Sequence, residues 1–133
     1  MQENVDGQGA WFLLPGGGQE HGETLHQTLQ RECLEEIGTA VEIGPLRFVR
    51  DYIGRHHEFA ETSRHFHQVE FMFACRVPDG YVPAAGHAPD GSQTGVRWLP
   101  VAELAGRRFY PQALVPLLAD PEAPTVVYLG YVN

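Results

Sequence analysis

The run from Gly16 to Thr39, GGGQEHGETLHQTLQRECLEEIGT, constrains this 133-residue chain more than any other stretch. Three consecutive glycines free the backbone to turn tightly and to approach another group closely. The spacing that follows predicts a helix over Thr24 to Ile37, with Thr24 at its start and Gly38 at the position of a C-terminal glycine cap. Leu25, Leu29, Cys33 and Ile37 recur every four residues and make one apolar stripe, which docks the helix on a sheet. With Glu32 set at zero on the helical wheel, Glu36 lies about 40° away and Glu35 about −60°. Three carboxylates therefore share one flank beside the stripe. Like charges at this spacing repel, and they sit near the helix C-terminus, the end where the dipole disfavours anions. Cations must compensate. Hard divalent ions such as Mg²⁺ or Mn²⁺ prefer carboxylate oxygen and water. Arg31, four residues before Glu35, is the other compensator. Gly22 allows a second turn that swings Glu23 back toward Arg31. A solvated acidic helix face would account for the three glutamates taken alone, but not for the spacing of the whole segment.

That spacing is Gly17, five residues, Glu23, seven residues, Arg31-Glu32, an apolar position at Cys33, then Glu35-Glu36 and Gly38. It resembles the signature of the Nudix hydrolases, with Leu14-Pro15-Gly16 similar to the usual lead-in. Thr39 departs from it where the family prefers an aliphatic residue, and Val41 is expected to take over that packing. Trp98-Leu99-Pro100 and the short helix after it extend a looser likeness over most of the chain. The resemblance implies an α/β/α sandwich around a mixed β-sheet. It implies hydrolysis of a nucleoside diphosphate linked to a further group X, with Mg²⁺ or Mn²⁺ as cofactor. By position, Glu32, Glu35, Glu36 and Gly17 would hold the metal. Glu32, Arg31 and Glu23 would form the catalytic set, with Arg31 orienting the glutamates. The partner is then a small nucleoside diphosphate derivative. The competing reading is a Nudix-fold sensor that binds a nucleotide without turnover; sensors commonly lose signature carboxylates, and none is lost here.

Outside the signature the chain reads as follows. Met1 to Gly9 is polar and is expected to be a loop or tail, so a first strand is missing from the domain. Ala10 to Leu14 is a buried strand running into the glycines. Val41 to Ile53 forms one or two strands with a break at Gly44-Pro45. Gly54 to Arg64 is a polar hairpin loop. His65 to Val77 is so continuously apolar that a central strand is expected. Pro78 to Gly95 is a long loop of the kind that often carries function. Val96 to Leu99 is a short strand, Val101 to Ala105 a helical turn, and Pro111 to Leu118 a helix. Thr125 to Val132 reads as a last strand or as a tail ordered against a neighbour. The missing strand and this apolar tail suggest a homodimer.

Glu58, Glu61 and Glu70 are candidates for a further acidic group. Glu70 stands out because it interrupts an apolar strand and needs a partner if buried. Of Arg47, Arg50, Arg55 and Arg64, one or two are expected to grip substrate phosphates. We single out Arg50, Arg55 and Glu70 as the substrate-binding set. The histidines of this region lack a zinc pattern, and no aromatic is singled out for base stacking. Gly54 stands where ADP-ribose pyrophosphatases of the family often carry proline, and other substrate markers are absent, so X stays unassigned.

Composition sets the outer bounds. A chain of 133 residues makes one domain, 1–133. It is 43% hydrophobic and 20% charged, which excludes a disordered chain. Its nine basic residues, all arginine, face 17 acidic ones, for a formal net charge of −8. Without a basic stripe, duplex nucleic acid is not an expected partner. Cys33 and Cys75 match neither a disulfide framework nor a zinc spacing and read as free thiols. No apolar run spans a bilayer and no signal peptide is read, so a cytoplasmic location without a membrane partner is expected.

Overall fold

Gln2–Asp6 (β1) and Gly9–Leu13 (β2) form an antiparallel hairpin in the computed structural model, which describes residues 1–57, 60–120 and 127–133. A strand therefore precedes Ala10, where a loop was expected. The usual alternation is inverted in β1: Gln2 and Asn4 are 1% and 0% exposed, while Val5 is 57% exposed. A strand with polar residues inward does not register in a hydrophobic period of two. Because β1 escapes that test, its partner is displaced too. Gln93–Val96 (β5), three residues earlier than expected, pairs antiparallel with β1. Arg108–Tyr110 (β6) pairs parallel with β2 and completes a four-stranded sheet of order β5-β1-β2-β6.

The second sheet has order β4-β3-β7. Glu42–Ile53 (β3) is one strand, and its register with His67–Arg76 (β4) shifts between Ile43 and Leu46, at the Gly44-Pro45 break. Tyr128–Tyr131 (β7) runs parallel to β3. The expected last strand thus forms within this chain, although residues 125 and 126 lie outside the described part. Both observations behind the homodimer expectation, the absent first strand and the unpaired tail, are therefore removed. The architecture is mixed α/β, with the strands divided between two mixed sheets and helices packed around them.

One expectation is reversed by position. β4 is not central: among the described residues it is flanked by β3 alone. Val69 and Phe71 are 51% and 44% exposed. The apolar run of β4 borders two open spaces beside the first helix instead of further strands. The segment between β3 and β4 is more structured than a loop, with a 3₁₀ turn at Gly54–His56 and one helical turn at Ala60–Ser63 (α2).

Two apolar clusters hold the layers together. Phe12, Phe48, Leu104, Phe109 and Leu114 are buried in one cluster, joining β2 and β6 of the first sheet to β3 of the second. Leu104 comes from the 3₁₀ turn Val101–Gly106 and Leu114 from Leu114–Ala119 (α3). Cys33, Ile37 and Val41 form the other cluster, with Leu29, Ile43, Val77 and Val96 against them. This cluster receives three of the four stripe residues of Leu25–Ile37 (α1). Thr24 caps α1 through a reciprocal box with Gln27, and Gly38 ends it in the left-handed region at φ 69°.

The long loop before β5 wraps the C-terminal end of α1. The Gly86 and Ala88 amides donate to the carbonyls of Glu36 and Glu35 at 3.2 and 3.1 Å. The Tyr81 hydroxyl donates to the Ile37 carbonyl at 2.7 Å, and Gln93 Nε2 to that of Glu36 at 2.7 Å. Carbonyls that a helix end leaves unpaired are thus supplied with donors from outside the helix. A Cβ on Gly86 would lie 2.3 Å from the Leu34 and Glu35 carbonyl oxygens. Gly86→Ala should therefore cost about 1–3 kcal/mol of stability, the usual range for overpacking against backbone. Urea unfolding measures this, and a midpoint equal to wild type would refute the close packing.

Candidate active site

The end of β2 feeds the turn Gly16–Gly18, and α1 brings its C-terminal half against that turn. Arg31 sits at the centre. Its Nε donates to Glu23 Oε1 at 2.9 Å, and its Nη2 to Glu23 Oε2 at 3.1 Å and to the Gly18 carbonyl at 2.9 Å. Nη1 donates to Glu32 Oε1 at 2.8 Å and to Glu35 Oε2 at 3.1 Å. One planar guanidinium thus gathers three carboxylates and one turn carbonyl, which a lysine ammonium has neither the donors nor the shape to do. Glu23 is held from both sides, since the Thr28 hydroxyl and the Glu20 amide also donate to its Oε2. The Arg31 pairing, followed by the Glu20 and Thr28 contacts, keeps its carboxyl down at about 2.

Gly17 touches this cluster at a point where a side chain would push the Glu32 carboxylate aside. A Cβ there would fall 2.3 Å from Glu32 Oε1. The backbone of the turn and the Glu32 carboxylate are thus in direct apposition. Glu32 is 8% exposed and Glu36 1%. Glu36 points away from Arg31, and its Oε2 accepts the Gly16 amide at 2.8 Å. Burial, reinforced by the charges of Asp90 and Glu32, pushes its carboxyl up to about 8; the Gly16 amide and the Gln2 side chain pull it only partly back.

Glu36 Oε1 is buried without a hydrogen-bond partner among the described residues, as are Gln2 Oε1, both Asn4 side-chain atoms and Gln93 Oε1. Gln2, Asn4 and Gln93 escaped the sequence reading because β1 and the start of β5 did. Their one signal was a pair of amides spaced by two in the first strand. The unpartnered Glu36 oxygen, the hard oxygen set of Glu32, Glu35 and Glu36, and the bare backbone at Gly17 fit a hard divalent cation. Among the described residues no three acidic, His or Cys side chains stand together as a ready metal cage. Arg31 occupies the centre of the carboxylate cluster instead.

A cleft of about 460 Å³ opens beside the glycine turn. It is walled by Gly16–Gly18, Leu25, Thr28 and Leu29 on one side, by residues 68–73 on another, and by Tyr110. Glu70 and Arg50 lie in this wall, paired at 2.7 Å. Arg50 is 4% exposed and also donates to the Val132 carbonyl at 2.8 Å, so its charge is committed within the protein. Glu70 thus has the partner that its place in an apolar strand demanded, and Gln68 Nε2 lies 3.3 Å from its other oxygen. Arg55 is not brought to the cleft; it is exposed on the 54–56 turn, with Nε on His56 at 3.1 Å. Glu61 is exposed on α2, and Glu58 lies outside the described residues.

The raised Glu36 carboxyl gives the metal-free protein a pH signature. Between the ordinary 4.5 and about 8 the folded state binds more protons at this group than the unfolded state. Stability should therefore fall as pH rises through that window. The thermal midpoint without metal should drop from about pH 5 to pH 8, Glu36→Gln should flatten the drop, and added Mg²⁺ should reverse it. A metal-free midpoint that climbs across this window contradicts the buried, unpaired state of Glu36.

A comparison with curated proteins gives no match. A comparison with family models matches the NUDIX domain over residues 1–119. That span takes in both sheets except β7, the glycine turn, α1 and the cleft. Together with the arginine-centred carboxylate cluster on the signature helix, it shows that the chain belongs to the Nudix family.

Proposed function

We propose that this protein is a divalent-metal-dependent pyrophosphohydrolase acting on a nucleoside diphosphate linked to a further group X. The observation that carries the reading is the Arg31 cluster, with Glu23, Glu32, Glu35 and the Gly18 carbonyl on one guanidinium beside a cleft of about 460 Å³. Glu32, Glu35 and Glu36, with the backbone at Gly17, are the residues that would hold Mg²⁺ or Mn²⁺. When bound, such an ion neutralises the diphosphate and acidifies a coordinated water.

The chain's own groups supply the remainder. Glu23, fixed by Thr28 and Glu20, anchors Arg31. Arg31 in turn holds Glu32 and Glu35 in register despite their repulsion. Of these carboxylates, Glu32 lies against the glycine turn, and it is the group we assign to take the proton of the attacking water. Glu70 and Gln68 offer acceptor and donor atoms to the nucleoside from the cleft wall, while Arg50 keeps Glu70 in place. An acidic chain can hold a polyanion in this way because the bound cation inverts the local charge.

The test is a panel of nucleoside triphosphates, ADP-ribose, dinucleoside polyphosphates and nucleotide sugars, assayed with Mg²⁺ or Mn²⁺. Hydrolysis should require the metal and fall by about two orders of magnitude or more in Glu35→Gln and in Glu36→Gln. Turnover that survives both substitutions would remove the site assignment. Binding without hydrolysis across the panel would favour a nucleotide sensor.

A further inference from the structure

A second cavity of about 320 Å³ adjoins the first. Leu14, Pro15, Leu29, Phe71, Met72 and Phe73 border both spaces, so the wall between them runs from the start of the glycine turn to the apolar run of β4. The two spaces differ in chemistry. The cleft presents Thr28, Gln68, Glu70 and Tyr110. The second chamber is lined by the α1 stripe from Leu29 to Ile37, by Cys75 and Val77, and by Trp98.

Its few polar members are already engaged. The Tyr81 hydroxyl donates to the Ile37 carbonyl at 2.7 Å, and Arg97 pairs with Glu3 at 2.9 Å. The Met1 amine donates to the Arg97 carbonyl at 2.8 Å. A sugar or a further phosphate entering this chamber would shed water without gaining partners, whereas a hydrocarbon would gain from burial. Phe71 and Trp98, 44% and 59% exposed, are among the residues that line this space.

We infer that the group X of the substrate is apolar, an alkyl or isoprenoid-like chain or ring seated in the chamber that Pro15 borders. The inference rests on the pyrophosphohydrolase reading above. The nucleoside then occupies the cleft with its hydrogen-bonding wall, and the diphosphate crosses beside Leu14 and Pro15, which border both spaces just before the glycine turn.

The probes are the β-decyl ester of ADP and ADP-glucose, titrated calorimetrically into the protein with Ca²⁺ present, a hard cation that can bridge the carboxylates and the diphosphate. The decyl ester should bind at least about tenfold more tightly, which burial of about two methylenes suffices to give. Cys75→Trp, which fills the chamber from an exposed strand position, should erase that difference and leave ADP-glucose unchanged. Val77→Trp, checked for folding by circular dichroism, repeats the test from a neighbouring position. Equal affinity for the two probes overturns the inference, as does a preference for the decyl ester that persists in the folded tryptophan variants. So does a wild-type dimer whose contact closes the chamber to the ester. Turnover with Mg²⁺ is followed in parallel. Hydrolysis of neither ester alongside a retained affinity difference counts against the hydrolase reading alone. Hydrolysis of ADP-glucose without any preference for the decyl ester counts against the apolar X alone.

Discussion

The arrangement of this protein depends on one guanidinium. Arg31 meets Glu23, Glu32, Glu35 and the Gly18 carbonyl at 2.8 to 3.1 Å. Without it, three carboxylates would crowd one another beside a glycine turn. The turn itself would lose the contact that holds Gly18 to the helix. Surface ion pairs are individually weak, but here the pairs share one planar donor, and geometry is what the cluster supplies. Glu36 is the complement: buried, and answered by the Gly16 amide and the Gln2 side chain instead of the arginine. The site thus holds three acidic groups gathered on a single positive charge and a fourth, Glu36, buried apart from it.

The two cavities extend the same logic into the body of the protein. β4 would be an ordinary buried strand if further strands flanked it. Placed at the edge of its sheet, it lends its apolar side chains to the walls of the cleft and the chamber. Arg50 and Glu70 show how a charge is kept in such a wall. Each neutralises the other, and Val132 takes a remaining donor of the arginine. This makes the pair part of the frame of the cleft wall.

What could be read directly from residues was what local periodicity and spacing control. The ends of α1, its stripe, the glycine cap and the convergence of Glu23 on Arg31 follow from neighbours within a few turns. Strand placement followed less well, for reasons visible in particular residues. Gln2 and Asn4 point inward, so β1 carries no apolar alternation, and β5 was shifted with it. The His65 to Val77 run is apolar because cavities adjoin it, which a sequence cannot distinguish from strands on both sides. Arg55 lies near Arg50 in sequence, but the 3₁₀ turn at Gly54–His56 turns it away from the cleft. The buried amides that reach Glu36, Gln2 from one strand and Gln93 from another, were invisible because they lie far from it along the chain, Gln93 by 57 residues.

The wrapping of the long loop around the end of α1 bears on what the signature segment is. At 13 residues, α1 is near the lower limit for a helix that persists alone in water. Its last carbonyls take their donors from Tyr81, Gly86, Ala88 and Gln93, all far along the chain. The segment is therefore no transplantable cassette. Lifted into another scaffold, it would carry the carboxylates but not the donors that keep its final turn wound, and Glu35 and Glu36 occupy that final turn. The recognisable motif and the working unit have different boundaries: the first is a contiguous stretch of sequence, the second a shell assembled from most of the domain.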